Sequence, residues 1–299
     1  MKVEEELKNK FGSAVKVNEP LASYTSWKVG GPADYYIAPH SVNELVEVIM
    51  LSKKFELPLF VMGNGTNLLV LDGGIRGLVV HIGAAFSYIK QGENGITAGA
   101  GMAMTALARE TVKKGWRGVE FAAGIPGTLG GAVIMNAGAF GDYIGERIQA
   151  VRLVSDSGAT VGLAKEELSF GYRCSNLSGR GIIFEVDLLL KKGSYHESLR
   201  LIENFLAERR RRHPEQPSAG SVFRNFPDVP AGEIIEQAGL KGMKVGGAEV
   251  SRKHANFIVN TGGATAADIM TLMEKVQKVI KEKYDLELQP EVRIIGEER

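Results

Sequence analysis

The sequence predicts an α+β fold of more than one lobe, and three observations lead there. Helical and strand-like apolar periodicities alternate along the chain, yet several strands follow one another with no helix between them. The length, 299 residues, is above the usual size of a single hydrophobic core. Two strand-like apolar runs break into glycine-rich turns, at residues 61–70 (VMGNGTNLLV) and 121–141 (FAAGIPGTLGGAVIMNAGAFG).

The elements follow in order. Residues 3–11 read as a short helix and residues 35–37 as a short strand. Ser41 is placed to cap a helix over residues 42–55, with Glu44 three positions later completing a capping box. A strand over 59–62 meets the first glycine turn, and 68–71, 78–82 and 96–98 are further strands. An amphipathic helix over 102–114 stops at Gly115. Pro126 marks the first turn of a helix inside the glycine-rich core, where Gly130 and Gly131 permit close packing on a sheet. Strands near 150–155 and 182–191 come next, the first ending in the turn Asp156-Ser157-Gly158. A long helix over 194–212 closes with Arg209 to Arg212, and Pro214 and Pro217 mark a boundary after it. Beyond lie a short helix near 232–238, strands around Ala248 and over 257–260, a helix over 266–284 capped by Thr265, and a strand over 288–295.

Composition excludes several classes. The formal charge is +1, from 36 basic and 35 acidic residues, so there is no global electrostatic case for nucleic acid or an anionic membrane. The single cysteine, Cys174, excludes an internal disulfide and suits a reducing compartment. The N-terminal MKVEEELKNKFG alternates charge, so no export peptide is expected and a cytoplasmic enzyme or binding protein is. The five histidines and the one cysteine form no metal-like spacing, so no metal is expected.

The stretch 121–141 has no charged residue, yet it carries six glycines, a proline and an asparagine. A membrane span would be richer in large apolar side chains. An ordinary core helix would lose about 0.5–1 kcal/mol at each glycine relative to alanine. What such a segment offers is backbone N–H groups that can approach something flat or polyanionic. The first turn, Gly63-Asn64-Gly65-Thr66-Asn67, offers the same, as an anion nest. An Asn-Gly step is also the signature of a plain hairpin, and the residues alone leave both readings standing. Neither GxGxxG nor GxxxxGK[ST] occurs. Two such turns suggest one extended, phosphate-bearing ligand clasped at two points.

Seven motifs occur in a specific order: PLASYTSWKVGGPADYY (20–36), VMGNGTNLLV, GIPGTLGGAVIMNAGAFG, FGYRCS (170–175), SAGSVFRN (218–225), KHANFIVN (253–260) and QPEVR (289–293). Each is weak alone. As an ordered set over residues 20–296, they make the chain resemble the UDP-N-acetylenolpyruvoylglucosamine reductase family, in its shorter subtype. The longer subtype's tyrosine-bearing loop has no room between Arg173 and Ser221 once the helix from Ser194 is placed.

That resemblance implies an α+β fold with a two-lobed FAD-binding region of the vanillyl-alcohol-oxidase/PCMH type and a C-terminal α+β substrate-binding domain. The implied divisions are 1–80, joined by the strand 289–299, then 81–213 and 214–288. It implies non-covalent FAD, NADPH as co-substrate, a small-molecule substrate and a place in peptidoglycan synthesis. No nucleic acid, membrane or obligate protein partner is expected. By match, Gly63, Asn64, Gly65, Thr66 and Asn67 hold the FAD pyrophosphate. Gly124, Ile125, Pro126, Gly127, Thr128, Gly130, Gly131, Asn136, Ala137 and Gly138 line the cofactor from the other lobe.

The implied reaction adds hydride from flavin N5 to C3 of an enolpyruvyl ether, leaves an enolate, and protonates C2. Arg173 would meet the enolate with a bidentate, permanently charged guanidinium. Glu291, as a neutral acid, would donate a hydrogen bond to it. Ser221 would give the proton to C2, an acceptor basic enough for a hydroxyl. Tyr172 and Asn225 are the implied substrate contacts, although Phe226 stands here between Asn225 and Pro227 where the family has proline directly. His254 and Asn256 belong to a matched motif, with a core or supporting role weighed equally against direct contact. Taken alone, Arg173 is a surface arginine, Ser221 a turn serine and Glu291 a strand carboxylate; only their setting raises them. A flavin oxidase acting on another small molecule, or a non-catalytic flavin or nucleotide-sugar binder, would keep the glycine turns without needing all three.

Overall fold

The computed structural model describes residues 3–299. The chain forms two compact units, and it passes between them repeatedly. The first comprises Met1–Val17, Tyr35–Asn64 and Gly77–Arg209; the second comprises Asn18–Asp34, Gly65–Arg76 and Arg210–Arg299. Each has its own apolar core.

In the first unit, α1 (Val3–Phe11) buries Leu7 and Phe11. Helix α2 (Val42–Lys54) starts where the sequence places it, with Ser41 Oγ accepting from Glu44 N at 3.2 Å. The expected capping box is only half formed. The Glu44 carboxylate reaches one residue further back and accepts from His40 N at 2.8 Å. Strand Leu59–Met62 pairs in parallel with Ile75–His81, Leu59 opposite Leu78. A five-stranded antiparallel sheet runs in the order Thr160–Ala164, Ile148–Val154, Ile182–Leu189, Gly95–Gly99, Ile89–Gln91. The Asp156-Ser157-Gly158 turn closes its first hairpin through Ser155 N to Ala159 O at 2.9 Å. Helix α3 (Met104–Lys113) buries Leu107, Ala108, Thr111 and Val112, and Gly115 ends the turn with φ +76°.

The helix inside the glycine-rich core is shorter and later than the sequence suggests. Residues Glu120–Gly124 form a 3-10 turn, and α4 (Leu129–Ile134) begins only after Thr128. Thr128, not Pro126, sets its start: the threonine Oγ1 accepts from Gly131 N at 3.4 Å. Backbone bonds from Leu129 N to Met102 O and Gly130 N to Ala100 O, both 2.8 Å, hold the first turn against the segment that follows strand Gly95–Gly99. A Cβ on Gly130 would lie 3.1 Å from Ala100 Cβ, so close packing needs a glycine there. Helix α5 (Tyr195–Arg212) ends the unit's run of elements.

In the second unit, α6 (Ala231–Gln237) and α7 (Ala266–Tyr284) accompany a three-stranded antiparallel sheet, Lys244–Val245, Ala248–Val250, Ile258–Asn260. Thr265 caps α7 as expected, in a capping box with Asp268. The Asp72 carboxylate adds two further acceptors, for Ala266 N at 3.0 Å and Ala267 N at 2.9 Å, so the helix's first N–H groups are satisfied. Trp27 is fully buried, its indole N–H donating to Ile258 O at 2.7 Å. The expected C-terminal strand over 288–295 is broken in two. Pro290, which cannot donate to a ladder, makes an isolated bridge to Phe223, and only Arg293–Ile295 forms a strand, parallel to Leu68–Val70.

Candidate active site

The strands on either side of the first glycine turn do not pair with each other. Leu59–Met62 joins Ile75–His81, and Leu68–Val70 joins Arg293–Ile295. The turn is therefore not a hairpin. Gly65 holds φ +58°, and a Cβ there would collide with Tyr24 O. Among the described residues, no hydrogen-bond partner is found for the N–H groups of Asn64 and Gly65. Open donors in succession form the concave nest an anionic group requires.

The second glycine turn comes up against the first. Gly63 sits directly on Thr128, where any Cβ would overlap the threonine Oγ1. Gly131 is exposed, and a Cβ there would meet nothing nearer than Thr128 Oγ1 at 3.5 Å. The backbone faces of Gly63 and of residues 128–131 thus share one neighbourhood, built for a ligand that packs on peptide surface. That arrangement fits a flavin dinucleotide. The side chains of Asn136 and Asn67, two of the expected cofactor contacts, are committed elsewhere. Asn136 is buried; its Nδ2 donates to Gly171 O at 2.9 Å and its Oδ1 accepts from Gly145 N at 3.0 Å. Asn67 Nδ2 donates to Glu291 O at 3.2 Å, and Asn67 O accepts from Arg293 N at 3.0 Å.

Arg173 lies in the first unit, in the two-residue turn of a tight hairpin, Phe170–Gly171 against Cys174–Ser175. Its backbone is left-handed, φ +56°, a conformation that costs a non-glycine residue roughly 1–3 kcal/mol and persists only where the surroundings enforce it. The surroundings do so from both strands. Asn136 holds Gly171 O, Ser175 Oγ donates to Ile134 O at 3.0 Å, and the Phe170 ring presses on Gly145, where a Cβ would lie 2.6 Å from Cγ. The Tyr172 ring is exposed and carries the Arg173 guanidinium 5.3 Å from its centroid.

Ser221 and Glu291 lie in the second unit and are brought together. Glu291 N donates to Val222 O at 2.7 Å, so the two residues stand on adjacent extended segments. Asn256, buried, fastens the serine segment: its Oδ1 accepts from Phe223 N at 2.9 Å, its Nδ2 donates to Phe223 O at 2.8 Å, and its own carbonyl accepts from Val222 N at 2.8 Å. Asn256 is thus a support for Ser221. His254 Nδ1 accepts from Asn256 N at 3.2 Å, and burial pushes its pKa below the ordinary 6.5, with Lys241 adding to the fall. Asn225 Oδ1 accepts from Ala231 N at 3.0 Å, which satisfies the first turn of α6 behind Pro230. The interposed Phe226 packs on the second core, and its N–H donates to Val229 O at 3.1 Å.

The FAD binding domain family matches residues 33–164, and the C-terminal domain of UDP-N-acetylenolpyruvoylglucosamine reductase matches residues 212–295. A UDP-N-acetylenolpyruvoylglucosamine reductase from Lachnoclostridium phytofermentans is 43% identical over 98% of this chain and 97% of its own. The chain belongs to the UDP-N-acetylenolpyruvoylglucosamine reductase family. The Bacillus subtilis reductase is 41% identical over 100% of this chain and 99% of its own. The crystal structure of the reductase from Thermus caldophilus superposes with a TM-score of 0.82 at 36% identity, covering 94% of this chain and 98% of that one. A Phl p 4 variant, a glucose oxidase, matches 64% of this chain and 44% of its own at 14% identity and a TM-score of 0.50, a likeness of fold alone. The chain therefore has an FAD binding domain followed by the reductase family's C-terminal domain, in an α+β fold, and it is an FAD-dependent oxidoreductase. Among the described residues no helix is long and apolar enough to cross a membrane.

Proposed function

We propose that this reductase takes hydride from NADPH and delivers it to the enolpyruvyl group of UDP-N-acetylglucosamine-enolpyruvate, forming UDP-N-acetylmuramate. The observation that carries the reading is the pairing of Ser221 and Glu291 on hydrogen-bonded segments, in a chain whose relatives bear this reductase's name over their whole length. FAD, when bound, supplies the hydride. Gly63, Asn64, Gly65 and Thr66 hold its diphosphate through backbone N–H groups, and residues 124–131 with Ala137 and Gly138 offer it peptide surface.

The chain's own work is to stabilise and protonate. Saturating C3 leaves electron density at C2 that spreads into the conjugated carboxylate. Arg173 meets that charge with its guanidinium. Glu291 supports the same enolate as a hydrogen-bond donor, and the Ser221 hydroxyl gives C2 its proton. Tyr172 shapes the substrate's surroundings beside Arg173. Asn225, whose Oδ1 serves α6, turns its amide N–H groups to the substrate. The division into lobes 1–80 with 289–299, 81–213 and 214–288 belongs to this reading, as does a cytoplasmic setting, which the lone, exposed, unpaired Cys174 supports.

Anaerobic stopped-flow tests the proposal in two halves. Purified protein is yellow, NADPH bleaches it, and the enolpyruvyl sugar restores the colour. Colourless protein would leave a flavin-free binder; bleaching that the sugar does not reverse would leave a flavin enzyme acting on another molecule.

A further inference from the structure

Residues 21–31, in the first of the seven motifs, form a closed loop within the second unit. Leu21 N donates to Gly31 O at 3.1 Å, and Gly31 N donates to Leu71 O at 3.0 Å, so the loop is shut at its base and fastened to the residue after strand Leu68–Val70. At its tip Lys28 N donates to Thr25 O at 3.2 Å, and the buried Thr25 Oγ1 donates to Val29 O at 2.7 Å. Lys28 is left-handed, φ +61°, a conformation a lysine keeps only where its surroundings enforce it. The turn so formed gives Ser26 and Trp27 different attachments. Ser26 N donates to Gly65 O at 3.2 Å, and Tyr24 O lies against Gly65 where a Cβ would stand. The loop therefore backs the first glycine turn.

Trp27 carries the loop's other attachment. Its ring is fully buried in the second core, as are Val222 and Phe223, which follow Ser221 in the chain. The indole N–H donates to Ile258 O at 2.7 Å, and the Trp27 carbonyl accepts from Asn260 Nδ2 at 2.9 Å. Asn260 is itself held, its Oδ1 accepting from Gly262 N at 2.9 Å and from Ala264 N at 3.2 Å. Strand Ile258–Asn260 begins two residues after Asn256, whose carbonyl accepts from Val222 N at 2.8 Å. A continuous framework thus runs from Gly65 through Ser26 and Trp27 to this strand, and on through Asn256 to the serine segment. Filling the core needs only the volume of the ring. Two directional bonds, one from the ring and one to its backbone, fix a register as well.

We propose that Trp27 is a positioning residue, holding the glycine turn that receives the FAD diphosphate and the proton-donating Ser221 segment in one register. The inference rests on the function proposed above and adds to it a residue that acts through Gly65 and Asn256. Reaction rates fall steeply when a reacting group is slightly misplaced, so loosening the tie is felt at both ends. Flavin is stripped from wild type, W27F, N260D and V276A, and each is titrated with FAD. The reloaded proteins, at saturating FAD, are followed by anaerobic stopped-flow and by thermal unfolding. W27F keeps an apolar ring without the indole N–H. N260D keeps the acceptor for Gly262 N and Ala264 N and loses the donor to Trp27 O. V276A trims the same core on α7. W27F and N260D are expected to bind FAD about fivefold more weakly and, once loaded, to be reoxidised by the enolpyruvyl sugar about fivefold more slowly, the scale of one lost hydrogen bond. Bleaching by NADPH keeps its wild-type rate. V276A is expected to lose at least as much thermal stability while keeping its FAD affinity and its reoxidation rate. W27F and N260D that fall no further than V276A in affinity and reoxidation overturn the proposal. So does a loss confined to one end, or bleaching slowed as much as reoxidation. If W27F folds poorly, N260D read against V276A decides. A wild type that takes up no FAD sinks the function proposed above, whereas a yellow wild type reoxidised by the sugar, with indifferent W27F and N260D, sinks only the role of Trp27.

Discussion

The two units solve the same problem with different materials. In each, a buried asparagine clamps the backbone beside a candidate catalytic side chain: Asn136 holds Gly171 near Arg173, and Asn256 holds Phe223 near Ser221. In the first unit the clamp grows out of a ligand-binding surface made of peptide, where glycines leave backbone bare and Asn136 itself sits at φ +42°. In the second it belongs to an apolar core to which α6 and α7 both contribute, and the candidate residues stand on two extended segments. On the proposed reading, one asparagine stands beside both cofactor and reaction, and the other beside the reaction alone. A polar amide suits both tasks because it satisfies a buried N–H and C=O at once, without a charge to desolvate.

The strongest test of that contrast is Ser221→Ala. It is expected to slow reduction of the enolpyruvyl substrate by roughly 10²–10⁴-fold, the range for losing a positioned proton donor, while flavin reduction by NADPH is spared. Equal damage to both half-reactions in stopped-flow would dissolve the division of labour. Next come the asparagines themselves. Either one changed to alanine leaves a buried backbone N–H unpaired, that of Gly145 or of Phe223, and should cost about 1–3 kcal/mol in denaturant unfolding. Asn136→Ala should also shed flavin on dilution and weaken the substrate half-reaction, whereas Asn256→Ala should keep its flavin and lose only the latter. Matching flavin loss in the two variants would mean the comparison is wrong.

Gly63→Ala sharpens the first unit alone. Its methyl would overlap Thr128, so overpacking should cost about 1–3 kcal/mol and lower flavin content at equal protein concentration. The smallest effect is one of pH. Burial holds His254 neutral, its pKa below 6.5. The unfolded chain takes up that proton once pH falls through the ordinary value, so the stabilising effect is present above about pH 6.5 and erodes below it. His81, in the first unit, is lowered by burial as well and has the same sign. His254→Gln should therefore flatten part of the decline in thermal stability between about pH 7 and pH 5, and a slope unchanged by the substitution would remove His254 from the account.

Much of the local structure was legible in the residues because local physics decides it. The helix over 266–284 carries its own cap in Thr265 and its own apolar period, and it forms over that same span. Where the expectation missed, a longer-range contact had overridden a local signal. Pro126 is a good first-turn residue, but Thr128 and the bonds to Ala100 and Met102 start the helix later. Residues 288–295 look like one strand, but Phe223 takes Pro290 and Leu68–Val70 takes only the last three. The choice between hairpin and ligand nest at Gly63 to Asn67 could not be made from the turn itself, because it depends on which strands the flanking residues find.

By itself, the sequence determined the composition of the proposed site, two bare-backbone turns, an arginine, a serine and a glutamate in a recognisable order, and it determined the family. Residue type and spacing are enough for that, since a guanidinium, a hydroxyl and a carboxyl have their chemistry wherever they stand. Only the tertiary structure decided that Ser221 and Glu291 are neighbours, that Asn136 and Asn67 serve as braces, and that Trp27 bonds at both its ring and its carbonyl to the strand Ile258–Asn260. Those outcomes depend on contacts between residues far apart in sequence, and on which buried polar groups remain to be satisfied once the chain has closed on itself.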